Sequence, residues 1–202
     1  MTTTVLLVRH GQTESNIGGY FMGRLNEDLN GAGYNQARCL ASRLARASIT
    51  SVYTSPLKRT CTTAVILAEP HGLELKTMED LIEINQGVWE GRHVDDISRG
   101  WPELWRQSRT DPSEFTMPNG ESFKQVTERA VRAFEAIVAG NQDRQSILVA
   151  HEIVVKVIIV HVLGATNRIY RRFEINNASL STIQVIDGKS RLLTINDISH
   201  LL

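Results

Sequence analysis

The sequence predicts an α/β fold, a three-layer α/β/α sandwich in which helices cover both faces of a mostly parallel sheet. Short apolar runs such as residues 5–8 and 146–150 are continuous rather than alternating, which is typical of strands buried on both faces. Longer segments with apolar residues at helical spacing lie between these runs. Because the two patterns alternate along the chain, they favour parallel strands connected by helices.

The individual elements follow from local signals. Pro56 stands where its fixed φ suits the first turn of a helix, and residues 122–125 resemble a capping box that begins another helix. The predicted helices cover residues 34–47, 57–68, 123–138 and 153–163. The predicted strands, besides the two above, cover residues 51–54, 73–76, 179–186 and 191–195, the last two forming a hairpin at Asp187-Gly188.

The segment 77–120 differs from the rest of the chain. It shows no sustained period and holds all three tryptophans and three of the five prolines. We therefore expect an irregular, lid-like insertion over the sheet, where substrate specificity would reside. The whole chain, residues 1–202, is long enough to bury a core and is expected to form a single domain.

Composition narrows the function classes. Lys plus Arg and Asp plus Glu both total 22, so no global charge would recruit nucleic acid or an anionic membrane. The most apolar stretch, 153–163, is too short to span a bilayer, and the first residues lack a signal-peptide pattern. The two cysteines form neither a disulfide framework nor a CxxC pair. These features predict a cytoplasmic protein, and a homodimer is left open.

Basic and imidazole side chains follow three of the predicted strands. Arg9 and His10 end the first strand, Arg59 follows the second, and His151 follows the strand over 146–150. Because open α/β sheets bind ligands at the carboxyl ends of their strands, these groups should meet at one edge. Arginine binds phosphate oxygens through its planar fork, and a neutral histidine can attack phosphorus. The sequence thus predicts a phosphate site.

The motifs around these residues resemble those of the histidine phosphatase superfamily, the phosphoglycerate-mutase-like group. Similarity covers nearly the whole chain and involves five blocks in the family's order. The blocks are Leu7-Val8-Arg9-His10-Gly11-Gln12-Thr13-Glu14-Ser15-Asn16, Ser55-Pro56-Leu57-Lys58-Arg59 with Thr63-Ala64, Leu81-Ile82-Glu83-Ile84-Asn85-Gln86-Gly87-Val88-Trp89-Glu90-Gly91, Pro118-Asn119-Gly120-Glu121-Ser122, and Val149-Ala150-His151.

The resemblance implies a phosphoglycerate-mutase-like fold and a metal- and cofactor-independent phosphatase acting on a small phosphate monoester. His10 would take the phosphoryl group while Glu83 protonates the leaving oxygen, and water would then release phosphate. The resemblance also implies catalytic roles for Arg9, Arg59 and His151. The side chains and backbone expected to contact substrate are Arg9, Asn16, Gly23, Arg59, His151 and Glu152.

Two departures from the family pattern concern the second histidine block. Glu152 stands where the family usually has glycine after the histidine, and Lys156 stands where it commonly has arginine. A carboxylate beside the site repels phosphate unless it pairs with a cation. Glu152 would therefore tune substrate choice, or it would replace Glu83 as the acid.

The sequence leaves two other functions open. One is a mutase of the resembled family, although mutases usually have arginine directly after the glutamate, where this chain has Ile84. The other is a non-catalytic protein that binds phosphate esters. His93 with Asp95 and Asp96 could suggest a metal site, but a solvated loop is favoured. Arg171 and Arg172 could reach an acidic substrate, although a surface position is favoured.

Overall fold

The computed structural model describes residues 2–202 and contains a central six-stranded sheet with helices on both sides. A second, two-stranded ribbon lies apart from it. The elements in chain order are β1 (Thr2–Arg9), α1 (Glu14–Gly18), β2 (Tyr20–Phe21), α2 (Gly31–Leu44), β3 (Ile49–Thr54), α3 (Lys58–Ala68), β4 (Leu75–Thr77), β5 (Arg92–His93), α4 (Val94–Gly100), α5 (Pro102–Thr110), α6 (Phe123–Gly140), β6 (Gln145–Ala150), α7 (Glu152–Val162), β7 (Leu180–Ile186) and β8 (Lys189–Asp197).

The central sheet has the strand order β4-β3-β6-β1-β7-β8. Strands β4, β3, β6 and β1 are parallel, whereas β7 runs antiparallel to β1 and pairs with β8 as a hairpin. In the centre, Leu7 lies beside Leu148 and Val8 beside Val149. The carboxyl ends of β1, β3 and β6 therefore lie next to one another at one edge.

Helices bury both faces of this sheet, as the continuous apolar strands predict. Leu6 and Val8 of β1 pack with α2 and α3, whereas Val5 and Leu7 face the opposite layer, which contains α6 and α7. Alternate side chains of one strand thus belong to two separate apolar cores. The predicted three-layer sandwich with a mostly parallel sheet is confirmed.

The predicted helices and strands outside 77–120 are all present, with ends that differ by a few residues. The capping box is present at the start of α6, where Gln125 N–H and Ser122 Oγ are 3.2 Å apart. Within residues 2–202, every helix is too short or too polar to cross a lipid bilayer.

The expectation of an irregular segment over 77–120 is wrong for its central part, which forms α4 and α5. These helices have 7 and 9 residues and are separated by Trp101 alone. Each is too short to produce a sustained apolar period in the sequence. The ribbon of β2 and β5, which pairs Tyr20 with His93, joins this segment to the loop after β1. The segment is therefore attached to the edge where the parallel strands end.

Candidate active site

A cavity of about 260 Å³ lies at the carboxyl ends of the parallel strands. Residues from both the sheet edge and the 77–120 segment form its wall. Of the predicted site residues, those that line it are Arg9, His10, Asn16, Gly23, Arg59, Glu83 and Glu152. His151 is fully buried directly behind this wall, with its ring centroid 5.3 Å from that of His10.

The orientation of His10 is fixed by its own backbone neighbour. Its Nδ1 lies 2.7 Å from the carbonyl oxygen of Gly11. Since a carbonyl can only accept, Nδ1 carries the hydrogen, and in the neutral ring Nε2 keeps its lone pair. Burial, with the nearby charges of Arg59 and Arg9, holds the pKa of His10 well below its usual value. The ring is therefore neutral and nucleophilic at neutral pH.

Arg59 is held at the first turn of α3 by three partners. Its Nη1 and Nη2 each donate to backbone carbonyls at 2.7 Å, those of Leu25 and Gly23, and its Nε donates to His151 Nδ1 at 3.2 Å. A guanidinium has five N–H groups, so two remain for a ligand in the cavity. The buried guanidinium is thus a preorganised anion site.

His151 has a defined tautomer as well. Because Arg59 Nε can only donate, His151 Nδ1 accepts, and Nε2 carries the hydrogen 2.8 Å from Ser55 Oγ. Burial, followed by the charge of Arg59, lowers the pKa of His151 well below its usual value. Because Nε2–H is engaged with Ser55 and the ring does not line the cavity, the contact between His151 and substrate stays a prediction.

Glu152 forms ion pairs with two cations beside the cavity. Its Oε2 lies 3.1 Å from Arg9 Nη1, and its Oε1 lies 2.7 Å from Lys156 Nζ. Burial opposes ionisation, but Arg9 and Lys156 outweigh it and lower the pKa of Glu152. This carboxylate is therefore ionised and paired. Arg9 also donates to the Ile175 carbonyl at 2.6 Å, while its buried Nε has no hydrogen-bond partner among residues 2–202.

Glu83 has a different environment from Glu152. Its side chain accepts hydrogen bonds from the backbone N–H groups of Ile84, at 2.9 Å, and Ile153, at 3.4 Å. Burial raises the pKa of Glu83 above its ordinary value, although the Ile84 N–H and Arg59 oppose this. Of the two carboxyl groups on the cavity wall, Glu83 is the one whose pKa is raised.

Asn16 and Gly23 belong to the loop after β1. Asn16 Oδ1 accepts from the Thr13 N–H at 3.1 Å and from Asn177 Nδ2 at 3.0 Å. Gly23 has a φ of +47°, and a Cβ there would collide with Glu90 Oε1. Glycine is therefore required at this position for its backbone to approach the cavity and accept from Arg59.

The outer part of the cavity consists of side chains that the sequence does not identify. Aromatic groups from several segments contribute, and Arg109 and Arg171 stack on Trp105 and Tyr170, each with its guanidinium 4.9 Å from the ring centroid. Arg171 is exposed, as predicted, and it also lines the outer part of the cavity. Neither the spacing nor the neighbours of Arg171 in sequence reveal that it folds over the adjacent tyrosine.

The other histidines lie outside the cavity wall. His93 Nδ1 accepts from the Asp95 N–H at 3.2 Å and caps α4, so the segment expected to be a solvated loop is the exposed first turn of a helix. Within residues 2–202, no three His, Cys, Asp or Glu side chains come together as a metal-binding group.

Similar sequences carry phosphatase and mutase names. Phosphoserine phosphatase 1 of Hydrogenobacter thermophilus is 32% identical over 197 residues, which cover 98% of this chain and 93% of that protein. A probable phosphoglycerate mutase, GpmB of Serratia proteamaculans, is 35% identical over 180 residues, which cover 89% of this chain and 83% of that protein.

Solved structures agree with this grouping. Bacillus stearothermophilus YhfR matches with a TM-score of 0.95 and 27% identity, covering 99% of this chain and all of that one. Phosphoserine phosphatase of Entamoeba histolytica, solved with 3-phosphoglyceric acid, matches with a TM-score of 0.88 and 25% identity, covering 99% and 100%. The family model described as histidine phosphatase superfamily (branch 1) matches residues 5–198. The chain belongs to this superfamily and is an enzyme of the histidine phosphatase type.

Proposed function

We propose that this enzyme hydrolyses a small phosphorylated metabolite through a phosphohistidine intermediate on His10. The observation that carries the proposal is the hydrogen bond between Nδ1 and the Gly11 carbonyl, since it leaves the Nε2 lone pair of a neutral ring beside Arg9 and Arg59. A cavity of about 260 Å³ suits a small phosphate ester.

In the first step, His10 Nε2 attacks phosphorus and the bond from phosphorus to the leaving oxygen breaks. Glu83 gives its proton to that oxygen, and the product alcohol departs. The unused N–H groups of Arg9 and Arg59 stabilise the charge on the phosphoryl oxygens. The raised pKa of Glu83 supports its role as the acid.

In the second step, water attacks the phosphorus of phosphohistidine while the Glu83 carboxylate accepts a proton from that water. The bond from phosphorus to nitrogen breaks, inorganic phosphate leaves, and both His10 and Glu83 regain their starting protonation. The lowered pKa of His10 makes its neutral ring a competent leaving group at neutral pH. This cycle needs no metal ion.

Mutase activity is the second candidate, because a relative carries that name. The position after the acid favours hydrolysis: Ile84 is fully buried in the apolar core, where mutases of the family usually have arginine. Incubation with 3-phosphoglycerate separates the two activities, because hydrolysis releases inorganic phosphate and a mutase yields 2-phosphoglycerate. Isomerisation without phosphate release would reverse the choice.

The experiment that tests the proposal measures phosphate release from p-nitrophenyl phosphate in excess chelator. Wild type and His71→Ala, whose histidine lies outside the cavity wall, should be equally active, whereas His10→Ala should lose activity. Equal rates for His10→Ala and wild type would exclude His10 as the nucleophile.

A further inference from the structure

The segment that carries Glu83 lacks regular secondary structure of its own. Glu83 lies between two single 3-10 turns, Glu79–Leu81 and Gly87–Trp89, and neither a strand ladder nor a helix includes it. Its carboxyl group must nevertheless reach a leaving oxygen beside His10. A position of this kind has to be fixed by contacts from neighbouring elements.

Arg129 of α6 makes such contacts with the backbone before the acid. Its Nη1 donates to the carbonyl oxygen of Asp80, at 2.9 Å, and to that of Ile82. Its Nε and Nη2 form a two-pronged pair with Glu121, at 3.0 and 2.9 Å. Arg129 is 9% exposed, so these hydrogen bonds form largely out of water.

Glu121 links these hydrogen bonds to the backbone of Glu83 and Asn85. Its Oε2 accepts from the Asn85 N–H at 2.9 Å and pairs with Arg24 Nη2 at 3.0 Å. Arg24 Nε in turn donates to the carbonyl oxygen of Glu83 at 3.2 Å. Three charged side chains thus hold backbone groups on both sides of Glu83.

We propose that Arg129, through its fork to Glu121 and its bonds to the carbonyls of Asp80 and Ile82, is a positioning residue that sets where Glu83 meets the leaving group. The inference rests on the proposed function, in which Glu83 is the acid. Arg129 does not line the cavity and therefore does not touch the substrate. Burial raises the pKa of Glu83 and the charge of Arg129 opposes this, so a substitution that keeps the charge isolates the effect of the hydrogen bonds.

The chain offers a matched control on the same helix. Arg132 also binds this segment, but only through the Asp80 carboxylate, at 2.9 Å for both contacts, and its side chain is 64% exposed. Lysine keeps the positive charge at either position but cannot form the arginine fork. Arg129→Lys therefore disrupts hydrogen bonds to the backbone around Glu83, whereas Arg132→Lys disrupts only a contact with the Asp80 side chain.

The test compares kcat/KM for β-glycerol phosphate, whose leaving alcohol needs a proton, and p-nitrophenyl phosphate, whose phenolate departs readily without one. Arg129→Lys should reduce kcat/KM for the alkyl ester on the order of 100-fold and spare the aryl ester. Arg132→Lys should change neither. Equal losses on both esters, or no loss on either, would overturn the proposal.

A double-mutant cycle separates positioning from general loss of structure. In the Glu83→Gln background, Arg129→Lys should change kcat/KM for the alkyl ester by less than about threefold, because its target is already absent. A full additional loss would contradict the inference. If Arg129→Lys does not fold by circular dichroism, Glu121→Gln takes its place and should show the same selective loss.

The two proposals fail in different ways. If Glu83→Gln itself loses no activity selectively on the alkyl ester, the assignment of the acid is wrong, and the positioning role is wrong with it. If Glu83→Gln shows the selective loss while Arg129→Lys and Glu121→Gln do not, only the positioning role fails.

Discussion

Replacing Glu83 by glutamine removes the proposed acid with little change in shape. The amide oxygen can still accept from the Ile84 N–H, while the second contact, to the Ile153 N–H, loses its acceptor. Loss of one such hydrogen bond costs stability of about 1 kcal/mol, which should leave the fold intact. The catalytic effect should be much larger than this structural one.

General acid catalysis contributes about 100- to 10,000-fold, which is roughly 3–5 kcal/mol of transition-state stabilisation. Because burial favours the protonated form of Glu83, we expect the variant to lose this factor in kcat/KM for an alkyl phosphate. For p-nitrophenyl phosphate the loss should be small, since its leaving group needs little protonation. Release of the two leaving alcohols during the first turnover at neutral pH measures the difference, because every later turnover also needs Glu83 as the base.

Glu152→Gln is the matched comparison, because it removes the other carboxylate of the cavity wall. Arg9 and Lys156 lower the pKa of Glu152 and keep it ionised, so it holds no proton to give. We expect its kcat/KM to stay within about tenfold of wild type on both esters. A selective loss on the alkyl ester in Glu152→Gln, with Glu83→Gln unaffected, would mean that Glu152, and not Glu83, is the acid.

Three further predictions concern stability. Burial lowers the pKa of His151, so the stability contributed by its neutral ring is present above about pH 6.5 and is lost as the pH falls below that value, by up to about 1.4 kcal/mol per pH unit. His151→Asn should therefore flatten the dependence of the free energy of unfolding on pH, measured by urea titration. An unchanged slope would contradict the burial effect. Gly87→Ala should destabilise more than Gly72→Ala, because both glycines have positive φ but only at Gly87 would a Cβ collide with backbone; equal shifts in Tm would argue against this. Leu148→Ala, in the buried centre of the sheet, should lower the free energy of unfolding by about 2–5 kcal/mol. Leu193→Ala should lower it by less than about 1 kcal/mol, because Leu193 is 52% exposed. Similar values for the two variants in urea titrations would mean that the core lies elsewhere.

Much of the fold could be predicted because its signals are local. The continuous apolar runs that become β1 and β6 indicate buried parallel strands, and this in turn places Arg9, His10 and His151 at one edge. The capping box before α6 is equally local. The candidate site thus follows from strand ends and motif order before any contact is known.

The parts that could not be predicted depend on contacts between distant segments. The ion pair between Glu152 and Arg9, beside the cavity, joins residues 143 positions apart. The position of Arg171 in the cavity wall depends on a turn after α7, and α4 and α5 are too short to show a period. Such features depend on packing between distant segments, which no short stretch of sequence reveals.

The most direct test of the account identifies the residue that carries phosphate during turnover. Glu83→Gln is suited to trapping, because it can still be phosphorylated by p-nitrophenyl phosphate but lacks the base for attack by water. Rapid quenching and peptide mapping should find an acid-labile, alkali-stable phosphate on His10, at close to one per protein molecule. Phosphate on His151, or steady turnover with His10 never modified, would contradict the account.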